Sequence, residues 1–201
     1  MEQEPKKGTR RRGRALEDAI FSATLDELVR VGYTALALDH VARRAQTGRA
    51  TLYRRWSNKR DLVADAVASA LPPLERAPDT GHLRTDLLIC FEQMHGLLDG
   101  VGRLALQALA AELHDPTDNV LTDLIREQVL EPRLQVVLDV LLRAASRHEI
   151  EATAAVPVLA RTGPALLFQH ALMFGKPPPR THIEELIDRV ILPAAGMARQ
   201  S

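Results

Sequence analysis

From Ala15 onward, apolar residues return every three or four positions, and no segment shows a convincing alternation of apolar with polar residues. That spacing lines them up along one side of an α-helix; a half-buried strand would need a period of two. Composition narrows the choice. Aromatic residues make up only 3% of the 201 residues, so the interior must be built mainly from Leu, Ala and Val. Such a mixture favours helix-on-helix packing over sandwiches, which lean on aromatic and β-branched side chains. The expectation is an all-α chain of about nine helices, long enough to bury a sizeable core.

The first helix should carry Phe21, Thr24, Leu25 and Leu28 at i, i+3, i+4 and i+7, with Ile20 beside them and a left-handed Gly32 ending it. Leu38, Val41, Ala42 and Ala45 repeat the pattern more briefly. After a break at Gln46, Thr47 and Gly48, a third short helix runs from Arg49 to about Trp56, with Leu52 and Trp56 on its inner side. Asn58 and Asp61 have the spacing of a capping box at the head of a fourth helix. Pro72-Pro73 stops that helix, and residues 72–81, PPLERAPDTG, read as a linker. Longer helical patterns follow at about 82–98, 101–114, 118–147, 152–175 and 181–198. Pro132 predicts a kink or a division in the third of these, and Pro157 and Pro164 threaten the next.

The formal net charge of zero conceals a division. Residues 1–60 hold 14 Lys/Arg against 7 Asp/Glu, whereas residues 61–201 hold 12 against 19. A basic head on an acidic body predicts a polyanionic partner for the head alone. Part of the charge lies in residues 1–14, which have no apolar pattern and read as a flexible basic arm with Arg10, Arg11, Arg12 and Arg14. The rest is concentrated in RRAQTGRATLYRRWSNK, Arg43 to Lys59, which also holds the only tryptophan. Two short amphipathic helices joined by a glycine-containing turn form a helix-turn-helix. A helix of about two turns fits the major groove of B-DNA, about 12 Å wide. Its outer side offers Arg49, Thr51, Tyr53, Arg54 and Arg55. Arginine can fork onto guanine, and threonine or alanine methyls suit the thymine methyl. Tyrosine hydroxyls and Lys59, at the start of a helix, suit phosphates.

The run LDHVARRAQTGRATLYRRWSNKRDL, Leu38 to Leu62, resembles the DNA-binding head of the TetR family of transcriptional regulators. Ala45, Arg49, Ala50, Thr51, Leu52, Tyr53, Trp56, Asn58, Lys59 and Leu62 match the family pattern. The resemblance implies that Tyr53 and Lys59 clamp phosphates while Arg49, Ala50, Thr51 and Arg55 face the groove. Three positions depart from the pattern: Gln46 replaces the turn glycine, Gly48 a small hydroxyl residue, and Ala37 the Ser/Thr that caps the second helix. By the same resemblance, residues 15–62 form the helix-turn-helix domain and residues 63–201 a helical ligand-binding and dimerisation domain. The arm can track phosphates or enter a minor groove, or simply solubilise.

A palindromic operator calls for a two-fold dimer. The last two helices offer Leu166, Leu167, His170, Leu172, Met173 and Phe174, then Ile183, Leu186, Ile187, Val190 and Ile191. Of these, Leu167, His170, Phe174, Ile183, Leu186, Ile187, Val190 and Ile191 are the candidates for a homodimer interface in the manner of the family's four-helix bundle. Packing inside one chain is the alternative. The resemblance also implies a pocket for a small-molecule inducer. Phe91, Met94, His95, Leu98, Leu106, Leu109 and Phe168 either line it or belong to ordinary core.

Nothing points to catalysis. The seven histidines form no His-x-x-x-His pair, and there is no phosphate loop or nucleophile elbow. No cofactor or metal is expected, and Cys90 alone builds neither a disulfide nor a zinc site. No apolar run is long enough to span a membrane, and the basic N-terminus lacks the apolar stretch of a secretory signal. The expectation is a cytoplasmic, dimeric, ligand-responsive regulator, most simply a repressor. A ligand-independent architectural DNA-binding protein and a non-DNA interaction module are the competing readings.

Overall fold

The computed structural model describes residues 13–98 and 120–197, and among these there is no strand. The pattern expected at 101–114 lies outside the described residues. Four helices form the N-terminal unit: α1 (Arg14–Ala35), α2 (Leu38–Arg44), α3 (Arg49–Arg55) and α4 (Lys59–Ala70). Ile20, Leu28, Leu52 and Leu62 are fully buried where these helices meet, as their spacing requires. Gly32 has φ 77° and ψ 171°, an extended positive-φ conformation rather than the left-handed helical one expected. Only glycine occupies that region readily. It interrupts α1 and turns Tyr33 into the core.

The three departures from the family pattern each have a local consequence. Ala37 and Gly48 begin α2 and α3 without a side-chain cap. Gln46 adopts φ 54°, and the turn closes with Thr47 N–H donating to Ala42 O at 2.9 Å. This is the arrangement in which glycine is usual. Gln46→Gly is therefore expected to raise stability by about 1 kcal/mol at most, because glycine's greater freedom when unfolded offsets part of the relief. Urea unfolding checks this, and an earlier midpoint for the variant would contradict it. By contrast, α4 is well capped: Asn58 Oδ1 accepts Asp61 N–H at 2.9 Å, and Asn58 Nδ2 donates to Asp61 Oδ2 at 2.9 Å.

The rest of the chain comprises α5 (Leu83–Leu98), α6 (Val120–Ile125), α7 (Glu131–Ser146), α8 (Pro157–Phe174), α9 (Arg180–Leu186) and α10 (Leu192–Ala194). A π turn, Arg126–Leu130, joins α6 to α7, and another, Ile187–Ile191, joins α9 to α10. Both turns stand just ahead of a proline, Pro132 and Pro193. A proline ring clashes with the carbonyl four residues back and supplies no N–H. Widening the preceding turn relieves this, with Glu131 N–H donating to Arg126 O and Leu192 N–H to Ile187 O. The chain thus stays helical through Pro132, with a widened turn where a kink or division was expected. Pro157 fits the first turn of α8, where its missing N–H costs nothing, and Pro164 lies inside that helix.

Two cores result. One joins α5, α7, α8 and α9 around Leu87, Phe91, Leu141, Leu167 and Ile183. The other is the core of α1–α4, and it extends across the linker to include Leu97, Leu124, Ile125 and Val129. The connecting segment 72–81 is fastened to the body by arginines. Arg133 donates to Pro72 O at 3.1 Å and Arg143 to Pro78 O at 2.9 Å, while Arg147 pairs with Asp79 at 2.7 Å.

Candidate nucleic-acid interface

Residues four apart lie on one side of a helix, and in α3 that side is sealed. Leu52 is fully buried, and Trp56, just past the helix, packs edge-on against Phe21 with ring centroids 5.7 Å apart. Its indole N–H donates to Asp65 Oδ2 at 2.8 Å, so the ring is anchored to α1 by its apolar body and to α4 by its polar tip. The rest of α3 is open to solvent. Arg49, Ala50, Tyr53, Arg54 and Arg55 are exposed and Thr51 is half-buried. Tyr53 keeps 54% of its surface open, unusual for a large ring with nothing over it.

Three arginines here pair with exposed or half-buried carboxylates of the same unit. Arg49 lies 2.8 Å from Asp39, Arg55 3.1 Å from Glu17, and Arg44 3.4 Å from Asp26. Exposed pairs of this kind contribute about 0–1 kcal/mol, so their guanidiniums can be drawn to another anion at little cost. Arg14 is exposed in the first turn of α1, whereas Arg10, Arg11 and Arg12 lie outside the described residues.

Lys59 is placed differently from a free phosphate clamp. Its Nζ donates to the carbonyls of Tyr33 at 2.9 Å and Thr34 at 3.0 Å, and it stands 4.4 Å from the centre of the Tyr33 ring. An ammonium has three donors, so one remains. The carbonyls at the end of α1 attract this cation in the way helix C-termini do. The Val31-Gly32-Tyr33 break was visible in the sequence, but not that its carbonyls point at Lys59. A second tie holds the helix-turn-helix together. Buried Glu27 accepts hydrogen bonds from Arg30 and lies 3.3 Å from His40 Nδ1, linking α1 to α2. The Arg30 hydrogen bond is the main cause holding the Glu27 carboxyl below the usual range.

The other candidate residues fall into separate places. Met94, Leu98 and Phe168 border a small apolar crevice shared with Leu97, Leu134 and Leu167. Met94 also borders a larger cavity beneath the connecting segment. Phe91 is buried against Gly163, and His95 is half-buried beside neither space. Leu106 and Leu109 lie outside the described residues. Of the interface candidates, Leu167, Ile183, Leu186, Ile187 and Ile191 are buried within the chain's own core. The exposed ones are Phe174 and Val190, joined by Val158, Leu166, Leu172 and Met173. His170 lies between Phe174 and His182, with ring centroids at 4.6 and 5.2 Å; burial, then His182 and Lys176, pull its pKa below the ordinary value. Periodicity marked both helices as amphipathic but could not say which stripe faced inward.

Burial also pushes the Cys90 thiol up to about 12, which keeps it protonated and inert. Among the described residues no three potential metal ligands gather, and no helix is long and apolar enough to cross a membrane.

An all-helical chain whose second and third helices pack as a helix-turn-helix, with a cationic outer side, defines a class of DNA-binding regulator. Comparison with known proteins gives the family. The family described as "Bacterial regulatory proteins, tetR family" matches residues 20–66, and "Tetracyclin repressor-like, C-terminal domain" matches residues 77–190. An uncharacterized HTH-type transcriptional regulator of Mycobacterium tuberculosis is 31% identical over 183 residues, covering 89% of this chain and 87% of that protein. A DNA-binding transcriptional repressor, TetR, of Mycobacteroides abscessus is 32% identical over 188 residues, covering 90% and 94%. Among solved structures, the flavonoid-responsive regulator FrrA superposes with a TM-score of 0.69 at 18% identity, covering 90% of this chain and 97% of that one. The chain belongs to the TetR family of helix-turn-helix transcriptional regulators.

Proposed function

We propose that this regulator is a cytoplasmic, homodimeric repressor that inserts α3 into successive major grooves of a palindromic operator and is released by a small molecule. The observation that carries the reading is the two-sidedness of α3: Leu52 and Trp56 fix it from behind, while Arg49 and Tyr53 stand open in front. Arg49, Ala50, Thr51 and Arg55 are assigned to base edges, Tyr53 and Arg54 to phosphates, and Lys59 to a phosphate through its remaining donor. The basic arm, including Arg10, Arg11, Arg12 and Arg14, adds sequence-independent attraction.

Dimerisation is assigned to the open side of α8. Val158, Leu166, Leu172 and Met173 fall on one stripe of that helix, and Met173 and Phe174 are 67% and 64% exposed. Val190 extends the apolar surface onto the final helices. Residues 15–62 then serve as the reading head and residues 63–201 as the ligand-binding and dimerising body. Repression follows the name carried by the Mycobacteroides abscessus relative. A ligand that prefers a spacing of the two heads unsuited to DNA would lower operator affinity by the difference in its affinity for the two states.

Selection of bound duplexes from a random pool tests this reading. The wild type should yield a palindromic consensus. Arg49→Ala should cost about 1–3 kcal/mol and relax one position in each half-site. Tyr53→Phe should weaken all sequences about equally. Sequence-indifferent binding by the wild type would instead mark an architectural protein, and no binding would sink the DNA reading.

A further inference from the structure

The connecting segment roofs a cavity of about 560 Å³ bordered by Leu71, Leu74, Met94, Val136 and Arg133. That volume lies within the range of small-molecule sites, roughly 300–1,000 Å³. The apolar crevice described above adjoins it, since Met94 and Arg133 border both.

Three charged side chains border the larger space, and two are accounted for. Glu92 lies 2.9 Å from Arg180 Nη1. Glu75 is exposed and accepts a hydrogen bond from Gln93 Nε2 at 2.6 Å. Arg133 is half-buried, and among the described residues no carboxylate lies within ion-pair distance of it. Among the described residues its hydrogen-bond partners are two backbone carbonyls, Val129 O at 3.1 Å and Pro72 O at 3.1 Å. A guanidinium has five N–H donors, so most of its capacity is unused. Burial pulls its pKa below the usual value, the mark of a cation held partly out of water without a counter-charge.

We propose that this cavity binds an amphipathic carboxylate, with the apolar chain against Leu71, Met94 and Val136 and the headgroup forked onto Arg133. A carboxylate supplies both the missing charge and the planar pair of acceptors that fits a guanidinium. The proposal rests on the ligand-responsive reading above and adds the chemical class and the anchoring residue. It also ties occupancy to the head. The same guanidinium holds Pro72 O, two residues beyond the end of α4, so a headgroup that takes Arg133 acts directly on the segment leading to the DNA-binding unit.

The test titrates the full chain with decanoate, decan-1-ol and decyltrimethylammonium, following heat release and thermal melting. Decanoate should bind and raise the melting temperature, and the neutral and cationic chains should not. Arg133→Gln should weaken decanoate binding about ten- to hundred-fold, the worth of a charge-assisted hydrogen bond pair. Arg133→Lys, which keeps the charge but loses the fork, should fall between. A melt of each variant without ligand shows that it is folded. Equal binding of decanol and decanoate, or decanoate binding unaffected by Arg133→Gln, would overturn the proposal. So would preference for the cation, or silence from all three probes. Selection of operator DNA is a separate measurement, so a failed ligand class and a failed regulator reading would be told apart.

Discussion

Gly163→Ala should destabilise the protein by about 3 kcal/mol, although alanine normally favours a helix interior over glycine by roughly 1 kcal/mol. Gly163 lies in α8 where that helix crosses α5, and a Cβ built there would stand 2.1 Å from Phe91 Cζ and 2.6 Å from Cε2. The ring is rigid and fully buried, so it cannot swing aside into solvent. Either the two helices separate or the ring leaves its rotamer, and both loosen the core shared with Leu87 and Leu167. The signature is coupling: shortening Phe91 in the Gly163→Ala, Phe91→Leu double variant should restore about 1–2 kcal/mol beyond additivity. Urea unfolding of the four proteins measures this. A single variant as stable as the wild type would show that α5 and α8 do not approach this closely.

Arg147→Met should cost about 3–5 kcal/mol, because it strands a buried charge. Arg147 bridges Asp86 at 3.2 Å and Glu149 at 2.6 Å, with Asp79 at 2.7 Å on the solvent side. Asp86 has no exposed surface and, among the described residues, otherwise receives only the Thr80 N–H and hydroxyl, each at 2.7 Å. Glu149 in turn accepts the Leu83 N–H at the start of α5 at 2.7 Å, so the first turn of that helix hangs on the same arginine. Two expectations separate this buried cluster from an ordinary surface pair. The loss should persist in high salt, since screening reaches buried charges poorly. Replacing Asp86 by leucine in the Arg147→Met background should recover part of the loss, as an apolar pair needs no counter-charge. A loss under 1 kcal/mol would mean that water reaches Asp86 and solvates it.

Much of the head was legible because each of its signals is local. Leu52 and Trp56 four apart, Asn58 three before Asp61, and the Pro72-Pro73 stop all appear where expected. Lys59 was read only as a phosphate ligand because its partners, the carbonyls of Tyr33 and Thr34, lie 26 and 25 residues away in sequence. The same limit applies in the body. Apolar stripes on α8 and α9 were evident, yet Leu167, Ile183 and Ile187 turn inward while Leu172, Met173 and Phe174 turn out. Periodicity gives a stripe and its width, and only the arrangement of neighbouring helices decides what covers it. Arg133 escaped notice for a related reason. An arginine one position after a proline reads as an unremarkable surface residue until the segment 72–75 is folded over it.

The junction between head and body has no dry seam of its own: Leu97, Leu124, Ile125 and Val129 are packed into the same apolar cluster as Val63 and Val67 of α4. A chain cut within residues 72–81 would therefore tear that cluster open and leave greasy surface on both pieces. For the intact molecule this makes the upper end of α6 travel with α4 as one solid block. Any repositioning of the reading helix must then carry the widened turn at Arg126–Leu130 with it, since Val129 belongs to the same cluster, and be absorbed farther along the body.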